Sequence, residues 1–117
     1  MATVTPTFDF VATQSGKTPR VTWADIVTAD TLTAFPVAAQ AAVAGAVQFG
    51  GTFGGATIGL QVSNDGVTYF DMKDLGGTVI SATAAALFEF TTAAMYIRPV
   101  IAGGAANAVD VTVVLRG

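Results

Sequence analysis

The sequence predicts an all-β chain, an antiparallel β-sandwich or jelly roll with short loops, and three observations carry that expectation. Short runs of alternating apolar and polar side chains recur along the 117 residues, turn signals rich in Gly, Asn and Asp separate them, and the two Ala-rich pieces that could favour helix lack a convincing amphipathic stripe. The length is that of one domain with a modest core. No internal repeat or linker divides it. Residues 1–20 are expected to form an amino-terminal arm or first strand, and residues 21–117 the sandwich domain.

The elements follow in order. Phe8 and Phe10 flank Asp9, and Val21 and Trp23 flank Thr22. Val47, Phe49 and Phe53 share one parity against Gln48 and Thr52, while Phe88 and Phe90 flank Glu89. Val109, Val111, Val113 and Leu115 oppose Asp110, Thr112 and Arg116. Each pattern is that of a strand with one face buried. Gly103-Gly104-Ala105-Ala106-Asn107 is expected to turn residues 95–102 back onto residues 108–116 as a hairpin. Pro99 removes a backbone donor, so its strand belongs at a sheet edge or the proline at a bulge. Two Ala-rich pieces, residues 37–47 and 82–87, have high helix propensity and admit one short helix. Neither has an amphipathic stripe, and Gly45 interrupts the first.

The strongest local signal is residues 52–74, TFGGATIGLQVSNDGVTYFDMKD, where turn chemistry and alternation specify the same hairpin. Asn64, Asp65 and Gly66 fill a three-residue connection with the glycine left-handed. That register sets Val62 against Thr68, Leu60 against Phe70 and Ile58 against Met72, gathering the apolar side chains on one surface. A two-residue Asp-Gly turn would set Leu60 against Asp71 and Ile58 against Lys73, because a one-residue slip exchanges faces. The first register leaves Thr57, Gln61, Ser63, Val67, Tyr69, Asp71 and Lys73 on the other, partly solvated face.

Composition narrows the function. Hydrophobic residues make up 52% and charged residues 11% of the chain, against about 25% charged in typical soluble domains. That balance favours a protein that hides surface against other chains. With five scattered basic residues and a net charge of −3, no nucleic-acid partner is expected. Cysteine and histidine are absent, which removes disulfides, thiol chemistry, and the commonest metal ligand and general base. MATVTPTFDF lacks the basic start and apolar run of a signal peptide. The uncharged stretch from Thr31 to Asn64 holds Pro36, Gln40, Gln48 and several glycines, so no membrane span is expected.

Three segments in order, TWADIVTAD, GTFGGATIGLQVSNDGVTYFDMKDLGG and MYIRPVIAGG, resemble a recurrent small virion protein of tailed bacteriophages, of the capsid decoration or cement type. The resemblance covers roughly Thr22 to Gly104. The chain departs from it in the Ala-rich residues 37–47, where a more polar connection is expected. The resemblance implies a structural protein on the capsid exterior, present in the host cytoplasm during assembly. Its implied partners are the major capsid protein and further copies of itself, with no cofactor. A head-fibre or tail-associated virion domain is the alternative within that class. A carbohydrate-binding module is the alternative outside it, and would need Trp23, Tyr69 and Tyr96 as an exposed aromatic platform.

The candidate site residues are interface residues. Tyr69 lies on the polar face of the favoured hairpin register, beside Asp71 and Lys73, and combines rigid apolar area with a polar tip. Tyr96 and Arg98 share strand parity, and arginine can stack on a ring or grip a carboxylate. Phe8 and Phe10 sit in an extended segment, Ala2 to Phe10, suited to strand addition on a neighbour. Trp23, between Val21 and Ile26, reads as core. No catalytic or metal-binding set emerges. Asp71 and Asp74 form a D-x-x-D spacing, and Asn64-Asp65-Gly66 echoes a calcium loop, but the remaining ligands are missing. A carboxylate pair such as Asp71 with Glu89 is the kind that hydrolyses glycosides, but sequence does not fix its separation. Ser15 and Ser81 have no histidine to activate them. The GGTFGG glycines, Gly50, Gly51, Gly54 and Gly55, read as bends between strands rather than as a contact loop.

Overall fold

The computed structural model describes residues 2–13, 16–37 and 43–116. In chain order the strands are β1 (Thr3–Val4), β2 (Thr7–Thr13), β3 (Gly16–Ile26), β4 (Thr31–Leu32), β5 (Phe35–Pro36) and β6 (Val43–Thr52). They continue as β7 (Thr57–Ser63), β8 (Phe70–Asp71), β9 (Ser81–Ala82), β10 (Ala86–Thr92), β11 (Tyr96–Ala102) and β12 (Ala108–Arg116). One five-stranded sheet runs β10-β6-β12-β3-β2. The second runs β5-β11-β7-β8, with β9 pairing farther along β7. Both are antiparallel, and a small parallel pair, β1 with β4, closes one corner. The protein is an antiparallel β-sandwich.

Alternation explains how the sheets meet. Val109, Val111, Val113 and Leu115 are buried along β12, while the residues between them are half-buried. Val21, Trp23 and Ile26 from β3 and Val47 and Phe49 from β6 fill the same layer, opposed by Ile58, Leu60 and Ile97 from the second sheet. Trp23 is fully buried, and its indole N–H donates to the Thr33 carbonyl at 2.7 Å. An apolar body with one satisfied polar handle is the usual form of a core tryptophan.

Among the described residues there is no helix. Residues 43–47 of the first Ala-rich piece belong to β6, and residues 82–87 divide between β9, a bend and β10; residues 38–42 lie outside the described residues. The reason is tertiary: β6 is flanked by β10 and β12 along its length and buries Val43, Val47 and Phe49, which outweighs the helix preference of alanine.

The expected hairpin of β11 and β12 does not form, since β11 belongs to the second sheet and β12 to the first. The connecting segment arches over the end of the sandwich instead. Asn107 accepts from the Thr28 N–H at 3.1 Å and donates to the Thr28 hydroxyl at 2.8 Å, and that hydroxyl donates to the Gly103 carbonyl. The Ala105 N–H donates to the Gly54 carbonyl at 3.0 Å. A Cβ on Gly54 would stand 2.1 Å from the Ala105 carbonyl oxygen, so this approach of two backbones requires glycine. Gly54 and Gly55 lie in the turn after β6, whereas Gly50 and Gly51 lie within β6 itself. Pro99 lies on β11 beyond the two residues that β5 pairs, where β7 is the strand's one neighbour among the described residues, so its missing donor interrupts no second ladder there.

Candidate functional site

The hairpin of β7 and β8 positions the site, and its register differs from the sequence register. Val62 stands opposite Phe70 and Gln61 opposite Asp71, a shift of two residues. The loop lengthens because two side chains replace backbone pairing. The Asp65 carboxylate accepts from the N–H groups of Val67 and Thr68 at 2.8 and 2.9 Å and from the Ser63 hydroxyl at 2.9 Å. Ser63 Oγ accepts in turn from the N–H groups of Asp65 and Gly66 at 3.2 and 2.9 Å. Gly66 takes the left-handed conformation its position calls for, with φ 76°. The Thr68 and Val67 amides and the Ser63 hydroxyl hold the Asp65 carboxyl below its usual pKa.

A two-residue shift keeps every side chain on its expected face. Gln61 and Asp71 therefore remain on the outer face, in one cross-strand row with Arg98 of β11. The Arg98 guanidinium carbon lies 3.6 Å from the centroid of the Tyr69 ring. Its Nε and Nη2 donate to Gln61 Oε1 at 3.2 and 3.1 Å, and the Gln61 amide reaches Asp71 Oδ1 at 3.5 Å. Gln61 thus turns its carbonyl to the cation and its amide to the carboxylate, and the guanidinium is fixed between a ring and a hydrogen-bond acceptor. Tyr96 shares this face, opposite Ser63 and Pro36, with its ring beneath Gly66. All three of Tyr69, Tyr96 and Arg98 are half-buried.

Chemically, the row presents a rigid, partly desolvated cation. Among the described residues the one ion pair is Arg20 with Asp9 at 2.8 Å, so no carboxylate neutralises Arg98 directly. Such a guanidinium suits a carboxylate or a carbonyl supplied by another molecule. Asp71 is tied to Gln61, while Asp74 closes a second turn by accepting from the N–H groups of Gly76 and Thr78 at 2.9 and 3.0 Å. Among the described residues no group of three or more acidic side chains is arranged to hold a metal ion. No helix among them is long and apolar enough to cross a membrane.

Phe8 and Phe10 meet elsewhere, at the rim between the sheets. Their rings contact edge to face at 4.9 Å, and Phe8 stacks on Phe35 of β5 at 5.4 Å. They are 44% and 59% exposed, so a large aromatic surface stays in water. The segment from Ala2 to Phe10 runs along the domain, through β1 and into β2. Two further aromatic residues bear on this surface: Phe35, which the alternation pattern leaves unmarked, and Phe70, which the hairpin register expected on the apolar surface. Phe35 lies in a two-residue strand, too short to show a period. Phe70 has strand parity for the core but lies beyond its edge, 67% exposed beside an open hollow lined by Val62, Thr68 and Ala94.

The aromatic platform required of a carbohydrate-binding module is not assembled from the residues named for it. Trp23 is in the core, and the Tyr69 ring is capped by Arg98. No family model matches the chain. No curated protein matches it either. Among solved structures, the chain is similar to a carbohydrate-binding module from Cellvibrio mixtus lichenase 5A, solved in complex with cellotriose. The identity is 10%, the match covers 96% of this chain and 86% of that one, and the TM-score is 0.31. A likeness of that size assigns neither ligand nor activity to this chain.

Proposed function

We propose that the chain is a non-enzymatic capsid decoration or cement protein of a tailed bacteriophage, placed on the head exterior, where it bridges major capsid protein subunits. The observation that carries this reading is the Arg98–Tyr69–Gln61 arrangement. Two of the three segments that resemble phage virion proteins, the one around SNDG and the one around YIRP, build it together on an outer sheet face. A cation prearranged against a ring, with no carboxylate partner among the described residues, suits a contact with another chain. The sparse charge of the sequence supports extensive contacts of the same kind. A protein that binds only the assembled lattice stabilises it by mass action, and many weak sites act together.

The test uses heads of the source phage that lack the protein. Added wild type is expected to bind to saturation and to raise the heat resistance of the heads, while Tyr69→Ala and Arg98→Ala fold normally but occupy fewer sites. Absence of head binding, together with specific attachment to tails or to glycans, transfers the assignment to a tail-associated or carbohydrate-binding protein.

A further inference from the structure

We infer that two copies of this chain pair antiparallel through the open edge of β2, with Phe10 opposite its own counterpart on the two-fold axis. The inference begins with what the other strand edges carry. β5 and β8 are two residues long, and β5 contains Pro36. The outer side of β10 receives the Leu75 N–H on the Glu89 carbonyl at 3.1 Å. The open stretch of β11 contains Pro99. β5 and β8 are short, the open stretch of β11 is broken by proline, and β10 is met at its middle by Leu75 and carries the charged Glu89; short strands, prolines, charges and contacts along the edge are ways proteins keep edges from recruiting strands.

Among the described residues, and apart from Asp9, which Arg20 pairs, the β2 edge has none of these protections. It is seven residues long, TFDFVAT, without proline or lysine, and its register against β3 runs unbroken from Thr7 to Thr13. It ends its sheet, so one row of its backbone donors and acceptors has no ladder partner among the described residues. An extended strand is the ligand that such a row selects.

The strand's own chemistry then selects a second copy. Its one charge, Asp9, is neutralised from within by Arg20 at 2.8 Å, so the edge is uncharged overall and apolar, and its best complement is equally apolar and uncharged. Phe8 and Phe10 lie on the sheet face that Val21 shares, at the rim, and both keep exposed ring surface. Antiparallel self-pairing centred on Phe10 sets Phe10 against its counterpart and brings Phe8 into diagonal reach of it. Each aromatic cluster then covers the other beneath a continuous ten-stranded sheet made from the two five-stranded ones. Centring on Asp9 would instead put two carboxylates directly opposite, which is unfavourable. Asp9 faces Val11 of the second copy in the Phe10 register.

The test uses the isolated full chain, so it reads separately from any binding to phage heads. Sedimentation velocity across concentration is expected to show a monomer–dimer equilibrium. Phe10→Lys, a change at an exposed ring, is expected to weaken dimerisation by about tenfold or more while leaving the thermal midpoint of the dilute monomer unchanged. The chain has no cysteine, so a single introduced thiol reports proximity. Opposed residues of an antiparallel pair have Cα atoms about 4.5–5.5 Å apart, within reach of a disulfide. Phe10→Cys is expected to cross-link rapidly under mild oxidation, whereas Val67→Cys, at an 82% exposed site on the hairpin loop, is not. A wild type that stays monomeric at millimolar concentration overturns the inference. So does a dimer in which Phe10→Cys cross-links no faster than Val67→Cys, or one in which Asp9→Cys cross-links in its place.

Discussion

Gly45 is the position where a conservative change tests the packing of the sandwich most directly. It lies in the Ala-rich part of β6, opposite Phe90 of β10. A Cβ there would stand 2.6 Å from Phe90 Cζ, 2.9 Å from Cε1 and 3.0 Å from the Val114 carbonyl oxygen. Ordinary carbon contacts fall at about 3.5–4.0 Å, so the ring must move by nearly an ångström. Phe90 is 1% exposed and has nowhere to go without displacing its neighbours. Overpacking of this kind costs about 1–3 kcal/mol, and the smaller unfolded-state entropy of alanine returns about 0.4–1 kcal/mol. At the centre of those ranges Gly45→Ala should destabilise by about 1.3 kcal/mol, a fall of several degrees in Tm for a domain of this size. Gly50→Ala is the control on the same strand: nothing lies within 4 Å of its Cβ position, and φ is not positive there. It should be neutral or slightly stabilising. Urea unfolding followed by circular dichroism measures both. Shortening the ring with Phe90→Leu should absorb the added methyl, so the double variant should be more stable than the sum of the single effects. A neutral Gly45→Ala, or strict additivity with Phe90→Leu, refutes the claim that this glycine exists to admit the ring.

Three further outcomes are expected. Gly66→Val should lower stability by about 1 kcal/mol or more, read as a drop in thermal midpoint, because a β-branched residue resists the φ of 76° there. The Asp65 carboxyl is held below its usual pKa by the Thr68 and Val67 amides and the Ser63 hydroxyl, and the Asp30 carboxyl by the Val27 and Ala2 amides. A lowered folded-state value means full stabilisation above the unfolded value of about 4, lost as pH falls through the folded value; Asp65→Asn should accordingly flatten the acid limb of a stability–pH curve. Tyr69→Ala and Arg98→Ala should leave the circular dichroism spectrum intact and show reduced head occupancy by densitometry of purified particles.

The parts of the fold legible in the sequence are those fixed by local alternation. The strands around Val21 and Trp23, around Val47 and Phe49, and from Val109 to Leu115 each bury one parity against a flat layer, and period two records that fact. Gly66 was legible for the same local reason, since Asn-Asp-Gly chemistry requires a left-handed residue. The hairpin register was less so, because it depends on Ser63 and Asp65 saturating the loop amides with their side chains, a choice that competes closely with backbone pairing. Partner choice among strands was not legible at all. Residues 103–107 look like a hairpin turn, yet the contacts that make them a crossover, Asn107 to Thr28 and Ala105 to Gly54, join positions far apart in sequence. Of the site, parity placed Tyr69, Gln61 and Asp71 on one face and Tyr96 with Arg98 on another strand. Only the pairing of β7 with β11 shows that these two faces are one.

That pairing also separates two surfaces that sequence order mixes. Arg98 and Tyr69 stand on the outer face of the second sheet, whereas Phe8 and Phe10 line the rim beside the last strand of the first. The cation offers a directional polar contact of modest area, which suits reversible engagement of a chemically distinct partner. The rim offers solvent-exposed backbone and rings, which another strand can pair and cover. Because no residue belongs to both, occupying one leaves the other available, and a chain holding its own copy at the rim would present two Arg98 faces at a fixed spacing. Two linked weak contacts bind a repeating surface far better than either alone. Where the proposed head binding and the proposed pairing both hold, Phe10→Lys should reduce head occupancy through lost pairing, and Arg98→Ala should reduce it without changing the sedimentation of the free chain. Equal loss of dimerisation and head binding in both variants would show that the two surfaces are one.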